Sequence, residues 1–330
     1  MSQTRRLFLS GAATAATLGA TATARSEEGD LTRKVVEEFG RVPGKKALKF
    51  WAPATGGAPD WSAEIDPDAA LFCGSSFKAF ALAEYLRQVG TAESRLKEWL
   101  AEQWDLDAKV FSPSSPVFNP PHLTGKVTAR TALEAMIAHS DNTATDMVLR
   151  RAGADNVRRF IATIGLRSAR IPTSTRRFIA YVSGHPNWQD MDWPTLIDLI
   201  ARKETPFPLR PIINDVETMV CSPADFVSFY SRALQGEFFP NRASLHAFRA
   251  ILSTANAIAM VMPLGVSAFA KGGSIDFGPD HVICLAGGMW VAKRWVYFGL
   301  MTNSNDEGIE PRFVEAARNI FRMVAEDLAR

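Results

Sequence analysis

The sequence predicts an α+β protein in which both ends of the chain build one antiparallel sheet and the middle forms an all-helical lobe. Three observations carry this. Strand-like runs lie near the start and, side by side, near the end. Between them apolar residues recur every three to four positions, the helical period. The 330 residues are 47% hydrophobic and 22% charged, which suits a sizeable core and rules out a disordered, collagenous or coiled-coil chain.

Leu31 to Gly40 carries apolar residues at helical spacing, and Gly40 with Pro43-Gly44 ends it. Ala47 to Trp51 and Trp61 to Ile65 read as short strands around the turn Gly56-Gly57-Ala58-Pro59. Helical spacing then covers Phe77 to Val89, Glu93 to Gln103 and Ala129 to Ala138, and resumes over Asp146 to Ala152. Ser112 to Pro121 is rich in Pro and Ser and reads as loop, and 165–220 as a long loop with short helices. Pro223 to Leu234 is a marked helix: Ser222 can cap it and Pro223 sits at its first position. Val282 to Trp290 and Trp295 to Met301 form strands around Ala292-Lys293-Arg294, and Glu310 to Leu328 closes the chain as a helix. The sheet lobe is expected over about 30–72 and 222–330, and the helical lobe over about 73–221.

Residues 1–24 have the order of an export signal. Thr4-Arg5-Arg6-Leu7-Phe8 resembles a twin-arginine motif, an Ala/Thr/Gly-rich stretch follows, and Ala22-Thr23-Ala24 is an A-x-A cleavage pattern. The expected location is therefore periplasmic or secreted. The formal charge is +2, and Arg5 and Arg6 supply it; the segment holds no acid, so its loss leaves a neutral chain. A neutral chain has no field for nucleic acid or anionic lipid. No later apolar run reaches the ~18 residues of a spanning helix, and no Cys follows the signal, so no stable membrane anchor is expected. Three cysteines are too few for a disulfide framework, and Cys73, Cys221 and Cys284 read as small buried residues. The five histidines show no ligand spacing, so neither metal nor cofactor is expected.

Three short motifs carry chemistry. In Ser75-Ser76-Phe77-Lys78, positions i and i+3 share a helix face, so Lys78 can meet the Ser75 hydroxyl. A serine needs a neighbouring base to become a nucleophile, and a buried lysine near other cations can lose its proton and serve. The pattern alone is weak: Ser94-Arg95-Leu96-Lys97 also matches, on a charged helical stretch. Ser140-Asp141-Asn142 lies between two helices. A hydroxyl there can relay a proton and an amide can hold a carbonyl, although Ser, Asp and Asn also simply cap helices. Lys271-Gly272-Gly273-Ser274 enters a strand. The ammonium can attract a carboxylate and the bare backbone offers N–H donors, although a Gly-rich turn would look the same.

Together and in this order, 65 and 131 residues apart, the motifs resemble the S-x-x-K, S-D-N and K-T-G set of class A serine β-lactamases and penicillin-binding proteins. Phe72, His122-Leu123-Thr124, Thr143-Ala144 and Ser222-Pro223-Ala224-Asp225 extend the resemblance, which covers roughly residues 30–330. It implies the β-lactamase/transpeptidase-like fold. It also implies an acyl-enzyme on Ser75, with Lys78 as base, Ser140 as proton relay and Asn142 as substrate-amide contact. Lys271 would bind a carboxylate, and the N–H groups of Ser75 and Ser274, exposed beside Gly273, would form the oxyanion hole. The implied partner is a small β-lactam or an acyl-peptide.

The pattern breaks at the step that releases the acyl group. The resemblance implies a loop glutamate near Arg176, yet no Asp or Glu occurs between Asn156 and Gln189. Six arginines stand there instead: 158, 159, 167, 170, 176 and 177. Lys78, Tyr181, His185 or a water held by Ser174 and Thr175 are the candidate replacements. Hydrolysis is therefore expected to be slow, with a penicillin-binding-type peptidase or esterase, or a capture protein without turnover, as alternatives. The threonine of K-T-G is Gly272, which removes a hydroxyl that Ser274 can replace if it points inward. Trp188 and Trp193 either line a cleft or pack the loop.

Overall fold

A computed structural model describes residues 29–119, 123–202 and 206–329. The export-signal pattern and His122 lie outside the described residues.

Residues 29–40 form α1, ended at Gly44 (φ +89°). Strands β1 (Lys45–Ala52) and β2 (Trp61–Ile65) follow, then the short β3 (Leu71–Phe72). A 3₁₀ turn, Gly74–Phe77, leads into α2 (Lys78–Arg87). The helical region continues with α3 (Ser94–Ala101), α4 (Ala129–Ala138), α5 (Asn142–Ala152), α6 (Ala154–Thr163), α7 (Thr175–Val182) and α8 (Trp193–Ala201). Within it β4 (Gln103–Leu106) pairs with β5 (Gly125–Thr128). Then come β6 (Val220–Cys221), α9 (Pro223–Ala233), α10 (Arg242–Leu252) and α11 (Asn256–Val261). The strands β7 (Ser267–Phe277), β8 (Asp280–Val291) and β9 (Arg294–Ser304) precede the closing helix α12 (Ile309–Leu328).

The main sheet has the order β2-β1-β9-β8-β7 and is antiparallel throughout. First and last segments thus share one sheet, as the adjacent terminal strands required. The β8–β9 hairpin turns on Ala292 (φ +50°) and Lys293 (φ +62°), the positive-φ pair that matches strand twist. β7 is the outer strand on the side of the helical region.

Each face of the sheet buries its own core. On one face α1 and α12 set Phe39, Phe313 and Phe321 against Phe50 and Phe298. On the other face α9 lays Phe226, Phe229 and Tyr230 beneath Phe80 of α2, and that cluster runs on through α4 and α5. α2 is the hub of the helical region, buried at every position but the last. Burying one such large side chain stabilises by about 1.5–3 kcal/mol, so the motif at the start of α2 rests on a rigid base.

The structure departs from the sequence expectations at several elements. The helix expected over Glu93–Gln103 stops at Ala101 because Gln103 begins β4, a pairing with no local signal. α6, α10 and α11 were not anticipated. α10 was legible: Leu245, Phe248, Ile251 and Leu252 keep helical spacing, and Asn241 caps it by accepting from Ser244 N at 2.8 Å. α5 begins at Asn142, four residues before the expected Asp146, because Asp141 caps it.

Candidate active site

Two residues past β3, Gly74 starts the turn that carries Ser75. Cys73 N donates to Met219 O at 2.8 Å, holding the strand's exit, and Gly74 takes φ +50°. The next residues coil as a 3₁₀ turn, which treats the two serines differently. Ser76 is buried and its Oγ donates to Lys271 O at 3.0 Å, bolting the turn to β7. Ser75 is partly exposed and lines the cleft, and its hydroxyl has no hydrogen-bond partner among the described residues.

The turn lies flat on β7 because glycines meet there. A Cβ on Gly273 would stand 2.2 Å from Cys73 O and 2.6 Å from Ser75 N, and one on Gly74 would stand 2.9 Å from Ser274 N. The two amides expected to serve as oxyanion donors are therefore neighbours.

Lys78 starts α2 with its amine wholly buried. Nζ donates to Ser140 O at 2.6 Å, to Asn142 Oδ1 at 2.8 Å and to Ser140 Oγ at 3.3 Å. None of these contacts is to Ser75 Oγ. The 3₁₀ turn beneath Ser75 replaces the regular helical spacing that the motif suggested. Burial drives the Lys78 amine well below the usual lysine range; the nearby Lys271 charge adds to this, while Asp141 and Asp146 oppose it.

Ser140 sits in the left-handed region at φ +57°, an uncommon state for a residue other than glycine. Asp141 holds it there. Its Oδ1 accepts from Ala144 N at 2.8 Å, capping α5, and its Oδ2 accepts from Val117 N and Phe118 N at 2.9 and 2.8 Å. So the capping and the chemical readings of Ser-Asp-Asn are both realised: Asp141 caps while its neighbours face Lys78. Asn142 is held at both ends of its amide, since Nδ2 donates to Pro113 O at 2.8 Å.

Lys271 is buried on β7 and donates to Gly272 O at 2.8 Å. Burial pulls its amine down to about 7. Gly272 turns toward α11, where an added Cβ would come within 2.8 Å of Ala257 Cβ; the position has no room for a threonine. Ser274 is exposed on the cleft wall.

A cleft of about 1130 Å³ joins these groups: Ser75, Ser140, Asn142, Lys271, Gly273 and Ser274 all line it. Thr175 lines it where the loop carboxylate was expected, and is itself buried. Thr175 Oγ1 lies 2.8 Å from Asp146 Oδ1 and 2.8 Å from Ser112 Oγ, and Thr175 N and Arg176 N donate to the same carboxylate at 2.6 and 3.0 Å. Burial raises Asp146 to about 6. Asp146 escaped the sequence reading, although an acid four residues after Asn142 shares its helix face.

The remaining candidates fall elsewhere. Ser174 caps α7, its Oγ accepting from Arg177 N at 3.1 Å. Tyr181 packs edge-on against Trp188, and His185 against Phe207, away from the cleft. Arg158, Arg170 and Arg177 pair with Asp155, Asp215 and Glu217, while Arg176 binds backbone carbonyls, including Ala108 O at 2.9 Å; the arginines are structural surface. Trp193 reaches the cleft and Trp188 does not. Cys73, Cys221 and Cys284 are free and buried. Among the described residues no His, Cys, Asp or Glu group can hold a metal ion, and no helix is long and apolar enough to cross a membrane.

Comparison with known proteins agrees with this geometry. No curated protein matches the sequence. The fold is similar to PBP-A, whose L-to-E point variant was captured as an acyl-enzyme complex with penicillin G, at 21% identity and TM-score 0.64, covering 90% of this chain and 96% of that one. It is also similar to the TLA-1 extended-spectrum β-lactamase (13%, TM-score 0.69, 92% and 99%) and to a β-lactamase from Chitinophaga pinensis (16%, TM-score 0.68, 90% and 98%). The profile of the beta-lactamase enzyme family matches residues 42–328, and the chain therefore belongs to that family, within the serine β-lactamase superfamily.

Proposed function

We propose that the chain is a slow serine β-lactam hydrolase of the class A type, acting through an acyl-enzyme on Ser75. The observation that carries this is the buried amine of Lys78, shared between Ser140 and Asn142 beside an unpartnered Ser75 hydroxyl. Neutral Lys78 takes the Ser75 proton as Oγ adds to the lactam carbonyl. The new oxyanion is met by the amides of Ser75 and Ser274. The C–N bond then breaks, and the Lys78 proton passes through Ser140 Oγ to the leaving nitrogen. Lys271 holds the substrate carboxylate, with Asn142 and the bare backbone at Gly273 beside the acyl amide.

Release needs a base for water. With no acid between residues 156 and 189, Lys78, neutral again after the relay, takes that role and release is slow. The same absence favours a second reading, a penicillin-binding-type peptidase or esterase, or a protein that captures acyl groups. An L-to-E point variant of PBP-A, which shares the fold, forms an acyl-enzyme complex with penicillin G. The Arg5-Arg6 signal pattern supports action outside the cytoplasm.

Incubation with a chromogenic cephalosporin, followed by colour and intact mass, tests the readings. Steady colour supports hydrolysis. A single burst with a lasting adduct on Ser75 supports capture. Full activity in a Ser75→Ala variant overturns the nucleophile assignment.

A further inference from the structure

We infer that α8 forms an apolar wall of the cleft and selects substrates whose acyl group carries a hydrophobic substituent. The inference rests on the acyl-enzyme reading and names the substrate class for it.

α8 is apolar on two faces. Leu196 and Leu199 pack on Ala180 and Met191, and that face is the helix's anchor. Trp193, Ile197 and Ile200, at i, i+4 and i+7, form the other face and line the cleft. Ile197 and Ile200 are 38% and 44% exposed, while Trp193 is steadied by Phe111 at 5.9 Å between ring centroids. An isoleucine in water costs what its burial would return, so two part-exposed isoleucines beside Trp193 on a cleft wall mark a surface that a ligand covers.

The wall continues the site already described. Beside α8, Thr175, Phe178 and Ile179 of α7 complete this side of the cleft, and the Thr175 hydroxyl is engaged by Ser112 Oγ at 2.8 Å. Two charged residues of α8 and α7 are paired: Asp198 with Arg202, and Arg177 with Glu217. Lys271, on β7, claims the carboxylate end of a substrate. The acyl end of a molecule attached at Ser75 and anchored at Lys271 is left to the α7–α8 side, where the described α7 and α8 residues lining the cleft carry no charge.

The test compares benzylpenicillin, which has an aromatic acyl group, with 6-aminopenicillanic acid, which has the same ring and carboxylate and a bare amine. Two readouts are taken: the second-order rate of adduct formation by intact mass, and non-covalent binding to the Ser75→Ala chain by calorimetry. The expected preference for benzylpenicillin is about tenfold or more in both. An Ile197→Asn, Ile200→Asn double variant brings the ratio close to one, and the Ile197→Leu, Ile200→Leu variant retains it. A ratio near one in the unaltered chain, or one that survives the asparagine pair, overturns the inference. If neither compound forms an adduct, the Ser75 reading falls, and the binding ratio alone then upholds or overturns the wall.

Discussion

Gly273 and Ser75 touch through what Gly273 lacks: a Cβ there would lie 2.6 Å from the Ser75 amide nitrogen. The Ser75 backbone is thereby pressed onto the edge strand, and the amide proposed as an oxyanion donor is positioned by a missing side chain. Gly273→Ala forces turn and strand apart. Acylation is expected to fall about a hundredfold. The overpacked contact costs about 1–3 kcal/mol of stability. Mass-spectrometric acylation rates and thermal melts check both.

Lys78→Met removes the amine that contacts Ser140, the proposed base. Adduct formation is expected to slow about a thousandfold, within the range for general-base loss. Ser140→Ala leaves the base in place and is expected to cost less. The pH–rate profile separates the two: the limb that rises with pH as Lys78 loses its proton vanishes in Lys78→Met and persists in Ser140→Ala.

Lys271 gives an opposing limb. Burial pulls its amine down to about 7, so this positive charge is expected to be lost as pH rises through that value. Only the charged form attracts a carboxylate. For a carboxylate-bearing substrate, kcat/KM is expected to fall above about pH 7, whereas an uncharged ester substrate shows no such fall. Lys271→Gln flattens the difference. The group also marks stability: between about 7 and the ordinary lysine value of 10.5 the unfolded chain holds the proton more than the folded one, so this group's contribution rises with pH there.

Asp146 ties α5 to the start of α7. Asp146→Ala strips the Thr175 and Arg176 amides of their acceptor and is expected to cost about 2–4 kcal/mol. Burial raises the carboxyl from 3.8 to about 6, so the native state favours the protonated form. Its contribution is full below about 3.8 and declines as pH rises to about 6. The penalty of the alanine variant, from denaturant melts, is therefore larger at pH 4 than at pH 7.

Cys73, Cys221 and Cys284 are buried, and burial pushes all three thiols up, Cys284 to about 12. The thiolate is the reactive form. A thiol reagent is expected to leave the native chain unlabelled and to titrate three thiols after denaturation.

The legible parts of this protein are those that local chemistry writes. Helical spacing placed α4, α9 and α12, and the capping Ser222 followed by Pro223 marked where α9 begins. The three motifs were legible as residue types able to activate a hydroxyl, pass a proton and hold an anion. Less visible were contacts between distant segments. β4 pairs with β5 across a loop, and nothing near Gln103 announces Gly125. The arginine-rich stretch hid α6, because its charges obscured Val157, Phe160 and Ile161.

The sequence by itself determined the fold class, the family resemblance and the shortlist of reactive groups, because periodicity, caps and motif spacing are properties of neighbouring residues. Only the tertiary structure decided how the groups share their protons. Ser75 and Lys78 are three residues apart, yet Lys78 gives its protons to Ser140 and Asn142, more than sixty residues away. It also decided that Gly272 has no room for a hydroxyl and that α8 turns a second apolar face to the cleft. Burial and proximity set these outcomes, and both arise when segments far apart in the chain exclude water from the same small volume.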